Sequence, residues 1–156
     1  MKQEEYLAAI KKQQSLIRKL FANRKRRSEV IDELTKQRYE HLRGKFFKTP
    51  KDDDRFKAVD GGTTLYICGI YAESSYINDD LVNVCIMCRH IGKTFRGFNS
   101  KDLVAVGIGF YDQSFRFTPE DNIDEILAPL YITQNQAIDE LNALYDEWIK
   151  NFLKKG

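Results

Sequence analysis

Apolar residues in the first quarter of the chain recur at helical spacing. Tyr6, Ile10, Ile17, Leu20 and Phe21 stand three, four or seven residues apart with Lys and Gln between them, which predicts a helix over residues 2–22. Ile10, Ile17, Arg24, Ile31 and Arg38 share one heptad position, and Tyr6, Gln13, Leu20, Leu34 and His41 share another. The result is a coiled-coil-like seam, interrupted at Arg24 and Arg27. Two geometries satisfy it. One is a single helix of about 60 Å over residues 2–42. The other is an antiparallel hairpin in which Asn23 ends the first helix and Ser28 caps the second. Asn23 and Ser28 are cap-type residues that bracket the break, which favours the hairpin or a kink. Self-association through the 6–42 seam is a further expectation.

After Gly44, a helix stop, the period changes. Lys45–Lys48 opens a strand region, and residues 49–54 (TPKDDD) form a turn by composition. Arg55–Val59 reads as a short strand, and Asp60-Gly61-Gly62 as a tight turn into a strand over Thr63–Tyr71. Ala72–Asp80 is polar and reads as a loop. Leu81–Arg89 carries the clearest strand pattern. Thr94–Phe98 and Leu103–Phe110 follow across turns at Gly92 and Asn99-Ser100, and Phe115–Phe117 adds a last short strand. Thr118-Pro119-Glu120-Asp121 resembles a helix start with Pro at its first position, and Pro129 keeps that element short. Thr133 and Gln136 then have capping-box spacing. Ile138, Leu141, Leu144, Tyr145, Trp148, Ile149 and Phe152 form an apolar face suited to covering a sheet, with Trp148 facing inward. These patterns predict an α+β protein. A basic helical arm over residues 1–43 joins a domain over residues 44–156, an antiparallel sheet of about five strands with a C-terminal amphipathic helix packed on it.

Charge divides the chain at the same place. Residues 1–51 carry 15 Lys and Arg against 6 Asp and Glu, whereas residues 52–156 carry 10 against 17. Residues 6–27 hold no acid, yet contain Lys11, Lys12, Arg18, Lys19, Arg24, Lys25, Arg26 and Arg27. A solvated helical face is normally balanced by acids four residues away, as Glu29, Asp32, Glu33 and Glu40 do for the second half of the arm. The unbalanced half points to a polyanion, since clustered Lys and Arg release counterions from phosphate and steer association. Arg18, Lys19, Arg24, Lys25, Arg26, Arg27, Arg43 and Lys45 are the candidate residues for contact with nucleic acid or another anionic partner. No apolar run reaches the ~20 residues of a membrane span, so no membrane partner is expected. Residues 1–10 lack the basic-then-apolar order of a signal peptide, and three cysteines is an odd number. Both favour reduced thiols in a cytoplasm.

The candidates for chemistry carry blander readings. Cys85 and Cys88 have the spacing of a metal pair, with His90 close by. Alternation inside a strand, however, sends Val82, Val84, Ile86 and Cys88 to one face and Cys85 to the other. Only Cys68 and His41 remain as further ligands, so buried strand thiols are expected, with no metal and no cofactor. Cysteine nucleophiles paired with His41 or His90 lack any supporting motif. Gly61-Gly62 and Gly107-Ile108-Gly109 lack the Lys-Ser/Thr of a phosphate loop. The acidic clusters at Asp52–Asp54, Asp79-Asp80 and Glu120-Asp121 lack calcium-loop spacing. Phe46, Phe47, Tyr66, Tyr71, Phe95, Phe98, Phe110, Phe115 and Phe117 could stack bases from an open sheet, but beneath a helix such residues more often form a core. No motif declares a reaction, and a non-enzymatic protein is expected.

Leu42-Arg43-Gly44-Lys45-Phe46-Phe47-Lys48 resembles an L-x-G-K-[FY]-[FY]-K strand found in small uncharacterised bacteriophage proteins. In those proteins it follows a charged N-terminal helix. A sheet with an L-Y-I-type strand comes next, here Leu65-Tyr66-Ile67, and then a C-terminal helix, here entered through Ile132-Thr133. The chain departs from that pattern in its long 72–117 region and its more basic arm. The resemblance implies a phage or mobile-element accessory protein and supplies no catalytic residue. Anti-CRISPR proteins that carry a basic helical arm on a small sheet are similar in architecture. The expectation is a stoichiometric inhibitor of a host nucleoprotein defence complex, with a nucleic-acid-binding accessory or regulatory protein as the alternative.

Overall fold

The spine of the molecule is a pair of fourteen-residue antiparallel strands, β3 (Val82–Phe95) and β4 (Val104–Phe117). The computed structural model describes residues 1–20, 24–74, 81–95 and 104–155. The sheet has the order β4-β3-β2-β1-β5, with β1 at Phe46–Lys48, β2 at Thr64–Ser74 and β5 at Tyr131–Ile132, all neighbours antiparallel. Helices α1 (Gln3–Leu20) and α2 (Arg24–Tyr39) precede it. Helix α3 (Ile123–Leu127) lies between β4 and β5, and α4 (Gln134–Lys155) ends the chain. The architecture is α+β, as the patterning predicts.

Several strands differ from their sequence expectation. Gly92, expected to turn the chain, lies inside β3 opposite Gly107 of β4. Thr94 and Phe95 therefore belong to β3, and residues 104–110 and 115–117 to the single strand β4, since paired glycines fit a ladder without reversing it; residues 96–103, with the expected Asn99-Ser100 turn, lie outside the described residues. The irregularity falls instead between Arg89 and Ile91. Residues 55–59 do not form a strand. Asp53 accepts the backbone N–H of Arg55 at 3.0 Å and starts a 3-10 turn at Asp54–Phe56. That turn delivers Phe56 into the core, 5.1 Å from Phe115, 5.9 Å from Phe47 and 6.0 Å from Phe117 between ring centres. The 118–121 segment is a turn rather than a helix start, closed by Thr118 N–H on Asp121 Oδ2 at 2.9 Å, and Asn122 caps α3. β2 continues to Ser74, three residues into the expected loop. β5, not expected as a separate strand, pairs with β1.

The arm is a hairpin. Tyr6 and Tyr39 meet edge to face at 5.8 Å, and the Tyr6 hydroxyl lies 2.9 Å from Thr35 Oγ1. Thr35 itself donates to the Ile31 carbonyl, so Tyr6 is the donor between them. Tyr6, Ile10, Ile31, Tyr39 and Leu42 are buried in one cluster with Phe47, Leu65, Ile67, Ile86, Phe115 and Ile123. The base of the arm and the sheet thus share a single core, which crosses the expected 43/44 boundary. The lower part of the seam expected to mediate self-association is buried in the chain's own interior. Gly44 ends the arm with φ +90°, a left-handed conformation that glycine adopts without strain, and its N–H donates to Ile67 O at 2.8 Å.

Helix α4 begins as its capping box predicts. Thr133 N–H donates to Gln136 Oε1 at 2.8 Å, and Gln136 N–H donates to Thr133 Oγ1 at 3.1 Å. Its Glu140 accepts from Thr64 Oγ1 at 2.9 Å and pairs with Lys48 at 3.0 Å, on the sheet face opposite Leu65 and Ile67, and the helix also contacts β3 and β4. The expected apolar face is only partly used. Ala137 is buried and Leu141, Leu144 and Ile149 are half-buried, but Ile138 and Tyr145 are exposed. The side chains of Trp148 and Phe152 lie outside the described residues.

Candidate anion-binding tip

The two arm helices are about 27 and 24 Å long at 1.5 Å per residue, and among the described residues their buried side chains lie toward one end. Tyr6 and Ile10 of α1 and Ile31, Thr35, Arg38 and Tyr39 of α2 are buried. Between Lys11 and Val30 none of the described side chains is buried, and Gln13, Gln14, Ser28 and Val30 are half-buried. Arg18 and Lys19 occupy the last turn of α1, and Arg24, Lys25, Arg26 and Arg27 the first turn of α2. The chain therefore brings these six candidates to one tip. Arg26 is exposed; the side chains of Arg18, Lys19, Arg24, Lys25 and Arg27 lie outside the described residues.

Ser28 does not cap the second helix. α2 starts at Arg24 and Ser28 sits inside it, because Arg and Lys are strong helix formers and carry the helix back through the cluster. Four cations consequently occupy the positive end of the α2 macrodipole, with no acid in that turn. Each such placement costs a few tenths of a kcal/mol, up to about 1. An anion at the same end would reverse the sign, since it meets both the unpaired helix N–H groups and the side-chain charge.

Arg43 and Lys45 lie at the opposite end of α2, so the structure does not bring them to the tip. Both have partners within the chain. Arg43 Nε donates to Glu40 Oε1 at 2.8 Å and Nη1 to the Cys68 carbonyl at 2.7 Å, at the point where the β2–β3 register shifts. Lys45 Nζ lies 4.8 Å from the centre of the Tyr131 ring.

A polar network that the sequence did not reveal ties the arm to α3. Arg38, 8% exposed, donates from Nη1 to Asp124 Oδ2 at 2.6 Å and from Nε to Gln3 Oε1 at 3.1 Å. His41 Nε2 hydrogen-bonds the other Asp124 oxygen at 2.5 Å. The Tyr39 hydroxyl lies 3.2 Å from Gln3 Oε1 and 3.1 Å from Asp121 O. Burial pushes the Asp124 carboxyl upward, but the hydrogen bonds from His41 and Arg38 outweigh it and hold its pKa below the usual value. His41 and Asp124 are 83 positions apart, so no local spacing announces the network. It clamps three segments together.

The thiols divide as alternation predicts. Cys88 lies in the shared core and Cys85 is buried from the other face, where burial pushes its pKa up. Cys68 Sγ donates to the Met87 carbonyl at 3.2 Å. Among the described residues no three His, Cys, Asp or Glu side chains gather closely enough to hold a metal. The aromatic residues divide too. Phe47, Phe115 and Phe117 are core, whereas Phe46, Tyr66 and Tyr71 are half-buried; Phe46 and Tyr66 pair at 5.1 Å. The Tyr71 hydroxyl reaches Ser114 Oγ on β4 at 3.4 Å, so its ring spans β3 over Cys85. Exposed Arg89 and Arg116 flank this face. A cleft of about 140 Å³ beside α1 and an open groove of about 340 Å³ beside β1 and β5 are lined by no Ser, Cys or His.

Comparison of the chain with protein-family models, with curated proteins and with solved structures returns no match.

Proposed function

We propose that the protein is a non-enzymatic binding protein that inserts its cationic hairpin tip into the anionic part of a nucleoprotein assembly. Within that class, the reading we favour is a stoichiometric inhibitor of a host defence complex, encoded by a phage or another mobile element. The observation that supports it is the first turn of α2. Arg24–Arg27 sit where the macrodipole disfavours them, with no acid in the turn. Charge that works against the fold is best explained by contact with something outside it. The surplus of acids in residues 52–156 supports a composite target. A protein that binds nucleic acid alone gains nothing from an acidic body, whereas one seated against a basic protein surface does.

Affinity capture from a bacterial lysate, with and without nuclease, tests this reading. The expected outcome is a protein partner retained in both arms and captured more strongly when nucleic acid is intact. Replacing Arg24, Lys25, Arg26 and Arg27 by Gln should weaken capture while leaving the circular dichroism spectrum unchanged. Recovery of the same partner at full yield by that variant would remove the tip from recognition.

A nucleic-acid-binding accessory protein is the second reading, and the basic first turn of α2 supports it as well. Titration with a single-stranded oligonucleotide separates the two. Tight, salt-dependent binding that the Arg24–Arg27 substitutions weaken would favour the accessory protein, and undetectable binding would favour the inhibitor.

A further inference from the structure

Three of the five large apolar side chains exposed among the described residues belong to α4: Ile138 at 44%, Tyr145 at 47% and Leu153 at 72%. With half-buried Ile149 they follow spacings of seven, four and four residues, so they form one stripe along the helix. The stripe lies beside the face that α4 turns to its own sheet, which Ala137, Leu141 and Leu144 supply. An aligned exposed apolar row is the mark of an interaction surface rather than of scattered surface leucines.

We infer that this stripe pairs α4 with α4 of a second copy of the chain, antiparallel, about a two-fold axis near Tyr145. The charges beside the stripe select that partner. Asp139 and Lys150, both exposed, are eleven residues apart, about three turns, and so share one flank. In a parallel pair this flank would face the opposite flank of the other helix, and the two charges would not meet. In an antiparallel pair centred near Tyr145, Asp139 of each copy lies beside Lys150 of the other, and like flanks face each other. Asp146 lies closest to the axis, one turn from Lys150 of its own helix. Ile138 then packs against the far end of the stripe, at Leu153 of the other copy. The contact is isologous: one surface serves both sides and closes at two. It stands independently of what the hairpin tip binds. A pair would present two basic tips, which raises affinity for any target that both can reach.

Sedimentation velocity on the full chain, over a wide concentration series, tests the inference. The expected result is a monomer–dimer equilibrium. Leu153→Asp should weaken it roughly tenfold or more while keeping the parent's circular dichroism spectrum and thermal midpoint, because that side chain is 72% exposed. Asp139→Lys alone and Lys150→Asp alone should each weaken it severalfold. The doubly swapped chain should recover the dimer, and so should an equimolar mixture of the two single variants, since each then supplies what the other lacks. A single-chain mass at every concentration would overturn the inference. So would a dimer that Leu153→Asp leaves intact, or failure of both the double swap and the mixture to recover association.

Discussion

Single side chains carry most of what distinguishes this core. Phe56 comes from a turn rather than a strand, yet it touches Phe47, Phe115 and Phe117 and so joins β1, β4 and the long β1–β2 connection. Phe56→Ala should cost ~3–5 kcal/mol, read as a large drop in denaturation midpoint; an unchanged midpoint would place Phe56 outside the core. Tyr6 is buried, and burial pushes its pKa up to about 12. An acid whose folded pKa is raised contributes stability that is whole below the unfolded value, about 10, and is lost as pH rises toward the folded one. Stability should therefore fall between roughly pH 10 and 12, and Tyr6→Phe should flatten that slope in alkaline melts. Asp124 has the opposite sign. Its pKa is lowered, so its contribution is present above the ordinary carboxylate range and is lost as pH falls through the folded value. Asp124→Asn should cost ~1–3 kcal/mol at neutral pH, since it leaves the nearly buried Arg38 without a carboxylate, though solvent at the partly exposed Asp124 reduces the figure. The gap between variant and parent should narrow in acid melts.

At the scale of the element, the two long-helix starts make contrasting predictions. Thr133 outside α4 accepts the Gln136 N–H, so Thr133→Ala should lower stability by ~1 kcal/mol. Ser28 lies in the interior of α2, where Ala is the better helix former. Ser28→Ala should therefore be neutral or slightly stabilising, by a few tenths of a kcal/mol at most. A loss as large as that of Thr133→Ala would mean that Ser28 caps the helix after all, with Arg24–Arg27 outside it. Thermal melts of the two variants decide this directly. The strands teach a related lesson. Gly92 punctuates the sequence like a turn, but opposite Gly107 it continues a ladder, because what a glycine does in a strand depends on its cross-strand neighbour.

Across the whole molecule, the hairpin is both a structural wall and the carrier of the basic cluster. Its lower half covers the sheet face formed by Leu65, Ile67, Val84 and Ile86, and the Arg38–Asp124 pair fastens it to α3. A chain reduced to residues 44–156 would expose that face, lose Tyr6, Ile10, Ile31, Tyr39 and Leu42 from the cluster, and be expected to aggregate or remain unfolded. A soluble 44–156 fragment with a cooperative melt would show that the hairpin is dispensable. Because Arg24–Arg27 lie against the α2 macrodipole, replacing them by Gln should leave the core intact and raise the unfolding midpoint slightly.

The sequence by itself determined the elements whose signal is local. Heptad spacing, a capping box, a left-handed glycine stop at Gly44 and the 82–89 alternation each depend on neighbours within a few residues. They yielded α4, the antiparallel sheet, the opposed faces of Cys85 and Cys88, and a basic helical arm that could be one long helix or a hairpin; the tertiary contacts of Tyr6 with Thr35 and Tyr39 chose the hairpin. Tertiary structure decided what depends on distant partners. It kept Gly92 inside β3 and joined residues 104–117 into one strand, because pairing along a long ladder is set by the opposite strand and not by a lone glycine. It turned 54–56 into a wedge, because a pocket among Phe47, Phe115 and Phe117 was available to fill. It moved Arg43 and Lys45 away from the other candidate cations, joined His41 to Asp124, and left Ile138 and Tyr145 outside the helix–sheet contact. Each outcome turns on which surfaces meet, and a linear pattern records only which surfaces are apolar or charged.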